Sequence, residues 1–169
     1  MPEPIVRDAT AELIAELTRR GLTIAVAESL TGGLLAAELI RIPGASVVVT
    51  GGVVAYNTAI KHSVLGVDAD LLSEHGAVHP RVAEQMATGV RTALAVDGRE
   101  ADVGIGTTGA AGPDPQDGQP VGTVFIGISI DERTQVLELA LDGGRAAIRA
   151  AVVTAAIAAA LDLLLDTAE

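Results

Sequence analysis

Apolar residues recur at helical spacing from Asp8 to Arg20, and Gly21 closes that run, so the pattern predicts an amphipathic helix there. Leu22 to Ala27 is a short uninterrupted apolar stretch suited to a buried strand, and Gly33 to Ile40 returns to helical spacing before Pro43-Gly44 ends it. Val47 to Tyr56 is β-branched and interrupted by Gly51-Gly52, which predicts a strand with a bulge or a close backbone approach. Ala59 to Leu65 and Ala69 to His75 read as two short helices. Pro80 suits the first turn of a longer helix reaching about Ala95, with His79 as its cap. Ala101 to Thr107, Gly122 to Ile130 and Thr134 to Leu141 are strands, the last two a hairpin through Asp131 to Arg133, and Ala146 to Leu165 is an apolar helix. Helices and strands that alternate early, followed by a late hairpin, predict an α/β fold: a three-layer α/β/α sandwich on a mixed, mostly parallel sheet.

Composition narrows what such a domain does. A length of 169 residues fits one domain spanning 1–169, and 49% hydrophobic against 20% charged residues excludes disorder. A net charge of -11, one Phe, one Tyr and no Trp leave neither a basic face nor a stacking platform, so no nucleic-acid partner is expected. The absence of Cys excludes disulfides and thiolate chemistry and fits a reducing, cytoplasmic setting. The first twenty residues mix charge with apolar positions and lack a long hydrophobic core, so they are not read as a signal peptide. Arg149, Thr154 and Asp162 interrupt the apolar C-terminal stretch, which is read as a buried helix and not as a membrane span.

Two segments carry the candidate chemistry. The only lysine, Lys61, follows the only tyrosine, Tyr56, and the only asparagine, Asn57, in YNTAIK, while every other basic residue is arginine. Lysine, unlike arginine, can be tuned by burial into a base. The second segment, AESLTGG from Ala27 to Gly33, places Ser29 before a glycine pair where a strand turns into a helix. Two readings stand: a helix cap with glycines for the turn, or a nucleophile beside backbone N–H donors. Three predicted strands run into polar or glycine-rich sequence at Glu28–Gly33, Tyr56-Asn57 and Thr107–Pro113, and parallel neighbours would bring those loops to one crevice. Ser29 with Lys61 as base, and Tyr56 as relay or hydrogen-bond donor, describes acyl transfer to serine followed by hydrolysis. His62, His75 and His79 show no spacing that nominates a base. The prolines of the loop from Gly112 to Gly118 favour a lid or turn over a calcium loop, and Gly76 argues against a zinc pair on one helix. Arg145 after Gly143-Gly144 reads equally as part of a helix start or as a phosphate ligand.

AESLTGG, YNTAIKHSVLGV, HGAV, TTGAAGP, QPVGTVFIGI and GGRAAIRAAV, in this order, resemble the CinA C-terminal domain family from about Leu13 to Leu164. The family usually has isoleucine at the position of Ala110 and serine at that of His79. The resemblance implies hydrolysis of the carboxamide of nicotinamide mononucleotide to nicotinic acid mononucleotide and ammonia, with no metal or other cofactor. It implies Ser29 as nucleophile, Lys61 and Tyr56 as activating partners, and Thr31, Gly32 and Gly33 as sources of backbone donors. Asn57, the loop carrying Thr108, Gly109 and Gly112, and Arg145 would hold the nucleotide. A homo-oligomer is expected on the same ground, and neither a membrane nor a nucleic acid as partner. A general serine-lysine amidase or esterase, and a nucleotide-binding module without chemistry, are the alternatives.

Overall fold

The computed structural model describes residues 6–168, so the first five residues of the segment read as unlike a signal peptide lie outside it. Helix α1 (Ala9–Arg20) starts where the Asp8 carboxylate accepts the Ala11 N–H and ends at Gly21, whose left-handed φ of 66° lets it cap the last turn. Strand β1 (Ile24–Glu28), helix α2 (Leu34–Ile40) and strand β2 (Val49–Val54) follow. Next come three helices, α3 (Thr58–Ser63), α4 (Ala69–His75) and α5 (Pro80–Ala93). Strands β3 (Val103–Gly109), β4 (Thr123–Ile130) and β5 (Arg133–Ala140) and the long helix α6 (Arg145–Asp166) complete the chain.

The five strands form one sheet in the order β2-β1-β3-β4-β5. β1 pairs in parallel with β2 and β3, whereas β4 pairs antiparallel with β3 and with β5. The predicted irregularity in β2 is present: the register slips beside Ile24 and Ala25, where Val49 and Gly51 are successive partners. A Cβ on Gly52 would lie 3.1 Å from Val26 and 3.2 Å from Ala36, so the expected close approach is present too.

Strand alternation divides the core. Ile24, Val26, Val103, Ile105, Val124, Ile126 and Ile128 pack under α1, α2 and α6. The opposite face carries Ala25, Ala27, Gly104, Gly106 and Gly127, and α5 lies directly on it through Ala83, Met86 and Ala87. Half of the most apolar window of α6 is buried, and its Ile148, Val152, Ala156 and Ile157 belong to the first core, so it acts here as a core helix.

His79 caps α5 as expected, its Nδ1 accepting the Arg81 N–H at 3.2 Å, and its ring stacks on His75 at a centroid distance of 4.8 Å. Burial, then the charges of His75 and Arg81, hold His79 below its ordinary 6.5. The unfolded chain therefore takes up this proton first, and stability falls as pH drops from about 6.5 until His79 titrates in the native state. His79→Ser keeps a capping oxygen and removes the titration. Its melting temperature is expected to decline less than that of the wild type between pH 7 and 5.

Candidate active site

The order β2-β1-β3 sets three parallel strand ends side by side, and the loops after them converge. Continuing the alternation of β1, Glu28 faces α2 while Ser29 falls on the side of α3. The Glu28 carboxylate is fully buried and accepts the Leu35 and Ala36 N–H groups at 2.8 and 3.1 Å, closing the loop from inside and capping α2. Ser29 remains in register with β3 through its N–H on Thr107 O at 3.0 Å.

Asn57 places the lysine. Its side chain accepts the Ala59 N–H at 2.9 Å and starts α3, whose first turn carries Lys61 back over the end of β1. Lys61 is 1% exposed, with Nζ 2.9 Å from Ser29 Oγ and 2.7 Å from Ala55 O. Burial pushes the Lys61 amine down to about 8, against the opposing pull of the Asp117 carboxylate. A minor neutral fraction therefore exists near neutral pH, well above that of an ordinary lysine. The charged amine donates to both oxygens, and the neutral amine can keep its N–H on Ala55 O and turn its lone pair to the serine hydroxyl.

Tyr56 stands differently from the expectation. Its hydroxyl accepts from Arg145 Nη2 at 3.2 Å, and it makes no hydrogen bond to Ser29 or Lys61. Arg145 also donates to Gly112 O at 2.7 Å, tying the ends of two loops together at the rim. Thr31 and Thr108 are buried and occupied: Thr31 shares a 2.9 Å hydrogen bond with Thr107, and Thr108 donates to Ala77 O at 2.7 Å. The Gly32 N–H is spent on Ser29 O, whereas the N–H groups of Leu30, Thr31 and Gly33 have no partner among the described residues. Gly109 lines the cleft, and a Cβ there would press on Thr123 O at 2.8 Å. Ser29, Leu30, Tyr56, Gly109, Ala111, Gln116 and Arg145 enclose a polar cleft of about 120 Å³. A wider groove of about 660 Å³ between α1, α2 and α6, lined by Val6, Leu34 and Val153, holds neither Ser29 nor Lys61.

Sequence reasoning missed Glu28, Arg149, Gln116 and Asp117. Two signals were present: an acid ending an otherwise apolar strand, and an arginine one turn after Arg145 in a helix whose first seventeen residues hold no other charge. Nothing in the sequence marks Gln116 or Asp117, which reach the site because the loop after β3 folds back on Gly76-Ala77, Asp117 accepting the Ala77 N–H at 2.9 Å.

A three-layer α/β/α domain with a buried serine-lysine pair at the carboxyl ends of its parallel strands is the class that fold and site define. The sequence model of the CinA C-terminal domain matches residues 6–165, and the chain belongs to that family. It is 54% identical over 134 residues to a putative competence-damage inducible protein of Geobacillus sp. (strain WCH70), covering 79% of this chain and 31% of that protein. It is 48% identical over 148 residues to a CinA-like protein of Frankia casuarinae, covering 88% and 32%. The chain thus spans about a third of the length of these relatives. Among solved structures, a CinA superfamily protein from Klebsiella pneumoniae superposes with a TM-score of 0.87 at 32% identity, over 94% of this chain and 96% of that one. The corresponding Escherichia coli protein gives 0.84 at 32% identity, over 93% and 88%.

Proposed function

We propose that this chain is an amidohydrolase that converts nicotinamide mononucleotide and water to nicotinic acid mononucleotide and ammonia. The observation that carries the serine chemistry is the buried 2.9 Å contact between Lys61 Nζ and Ser29 Oγ. Neutral Lys61 takes the serine proton as Oγ bonds to the carboxamide carbon. It returns that proton to the amide nitrogen as the C–N bond breaks and ammonia leaves. Water then adds to the acyl-serine, gives its proton to Lys61, and the acid departs as Oγ is reprotonated. Backbone N–H groups after Ser29 take up the oxyanion charge.

The cleft, small beside ordinary ligand pockets, admits the reacting end of the substrate and leaves the rest at the rim, where Tyr56 and Arg145 would meet ring and phosphate. Tyr56 on this reading orients substrate through Arg145. Its expected role as an activator of Ser29 needs its hydroxyl to leave Arg145 when substrate binds. The substrate and a homo-oligomeric state come from the family resemblance, and a cytoplasmic setting from the absence of cysteine. Nicotinamide mononucleotide and its dephosphorylated riboside should be incubated separately with the protein, following ammonia and acid product together. Stoichiometric products from the nucleotide alone support the reading. Equal rates on both would mark a general amidase, and a raised melting temperature without product a binding module.

Because only neutral Lys61 accepts the proton, kcat/KM is expected to rise with pH through about 8 and then level. A pH–rate profile without a limb in that region would remove Lys61 from the role of base.

A further inference from the structure

Helix α6 sends two arginines to the site from successive turns. Arg145 reaches the rim of the cleft, but Arg149 does not line it. Arg149 Nε donates to Leu30 O at 2.8 Å, and its Nη2 stands 3.4 Å from Thr31 O. The side chain therefore grips two successive carbonyls of the loop that follows the nucleophile.

This grip has a consequence on the other side of the peptide. The cis bond at Gly112-Pro113 is the only one among the described residues, so the peptide joining Leu30 to Thr31 is trans. Its N–H points opposite to its C=O. With the Leu30 carbonyl drawn toward α6, the Thr31 N–H faces away from that layer, toward the side of the sheet that carries Lys61. It is one of the N–H groups without a partner, although the Thr31 hydroxyl is engaged with Thr107. The following Gly32 stands at φ 55°, and the guanidinium packs beside it, a Cβ there lying 3.4 Å from Arg149 Nη2, an ordinary contact.

We propose that Arg149 is a positioning residue that fixes the Leu30-Thr31 peptide so that the Thr31 N–H meets the oxyanion formed when Ser29 adds to its substrate. The inference rests on the amidohydrolase reading. An arginine is needed because its planar fork spans two carbonyl oxygens, whereas a lysine offers a single compact charge. Loss of one oxyanion donor costs about 10²- to 10³-fold in kcat. The substrate is gripped elsewhere, so KM should stay within about threefold.

The test is steady-state hydrolysis of nicotinamide mononucleotide by the full chain as wild type, Arg149→Ala and Arg149→Lys, with melting temperatures measured beside it. Each protein is also treated with a fluorophosphonate, which reports the reactivity of Ser29 without that substrate, and assayed with and without millimolar guanidinium against equal sodium chloride. The expected result is a kcat lower by about 10²-fold in both variants at similar KM, slower labelling, and partial recovery of Arg149→Ala by guanidinium. If the alanine variant does not fold, the lysine variant, which keeps the charge, decides by the same readouts. Wild-type kcat in the variants, or a loss that guanidinium leaves unchanged in a folded alanine variant, overturns the proposal. A wild type that neither turns over nor is labelled overturns the serine chemistry itself, and the role of Arg149 with it.

Discussion

Lys61→Arg is expected to lose nucleotide hydrolysis by about 10³-fold or more, and Ser29→Ala by at least about 10⁴-fold, each with the fold retained. The arginine keeps a positive charge beside Ser29 but cannot accept a proton at any working pH. Lys61 is almost fully enclosed, so a guanidinium also strains the packing there. Lys61→Met separates the two effects, since it keeps most of the length and the apolar stem and has neither a charge nor a basic amine. All three variants should bind substrate, seen as ligand-dependent stabilisation, and release no ammonia above background. Removing either partner should cost nearly as much as removing both, because the serine and its base act as a unit. Full activity in Lys61→Met would mean that the 2.9 Å contact is a structural hydrogen bond only.

A large stability effect is expected at a position outside the site. Gly104→Ala should destabilise the domain by about 3 kcal/mol or more, at the upper end of overpacking costs, because the new Cβ would stand 1.9 Å from Ala87 O. Backbone of a helix is what it meets, and a helix cannot yield as a side-chain tip does. A Cβ on Gly106 or Gly127, which pair across β3 and β4, would stand 2.7 or 2.3 Å from Ala83 O, so α5 sits in a shallow glycine trough. Denaturant unfolding reads the effect as a lower midpoint. A variant within about 0.5 kcal/mol of wild type would show that α5 can lift from the sheet at little cost.

That trough illustrates what the sequence conceals. The alternation in Ala101 to Thr107 and the β-branched run of Gly122 to Ile130 announce strands, and Asp8, Gly21 and Pro80 announce helix ends, because these signals are local. Glycines at alternate positions of β3 look like weak strand-forming sequence until the helix that needs them is in place. The same division holds at the site. Lys61 is legible because it is the only lysine, and Ser29 because it follows the predicted strand Leu22 to Ala27 just before a glycine pair. Their meeting depends on β1 lying between β2 and β3, a choice of strand order that periodicity does not record. Asn57, Thr31 and Thr108 draw attention as polar residues beside glycines, yet in the structure their side chains cap, pair and brace. Local sequence cannot tell a hydroxyl free for a ligand from one consumed by a neighbouring loop. Arg149 is marked in the sequence only as a second arginine one turn after Arg145, and what it holds is not, because its targets are carbonyls, which every residue has.

The central place of β1 makes the two reacting side chains unequal. The strand before the serine is paired on both edges, and its last carboxylate is locked onto α2, whereas the lysine rides on a helix of six residues at the margin of the sheet. On the proposed serine chemistry, any adjustment between the free, acylated and product-bound forms therefore falls to the amine. The alkoxide partner is the anvil, the base is the hammer, and insertions that lengthen or loosen the α3 segment would retune the rate while leaving the nucleophile where it is.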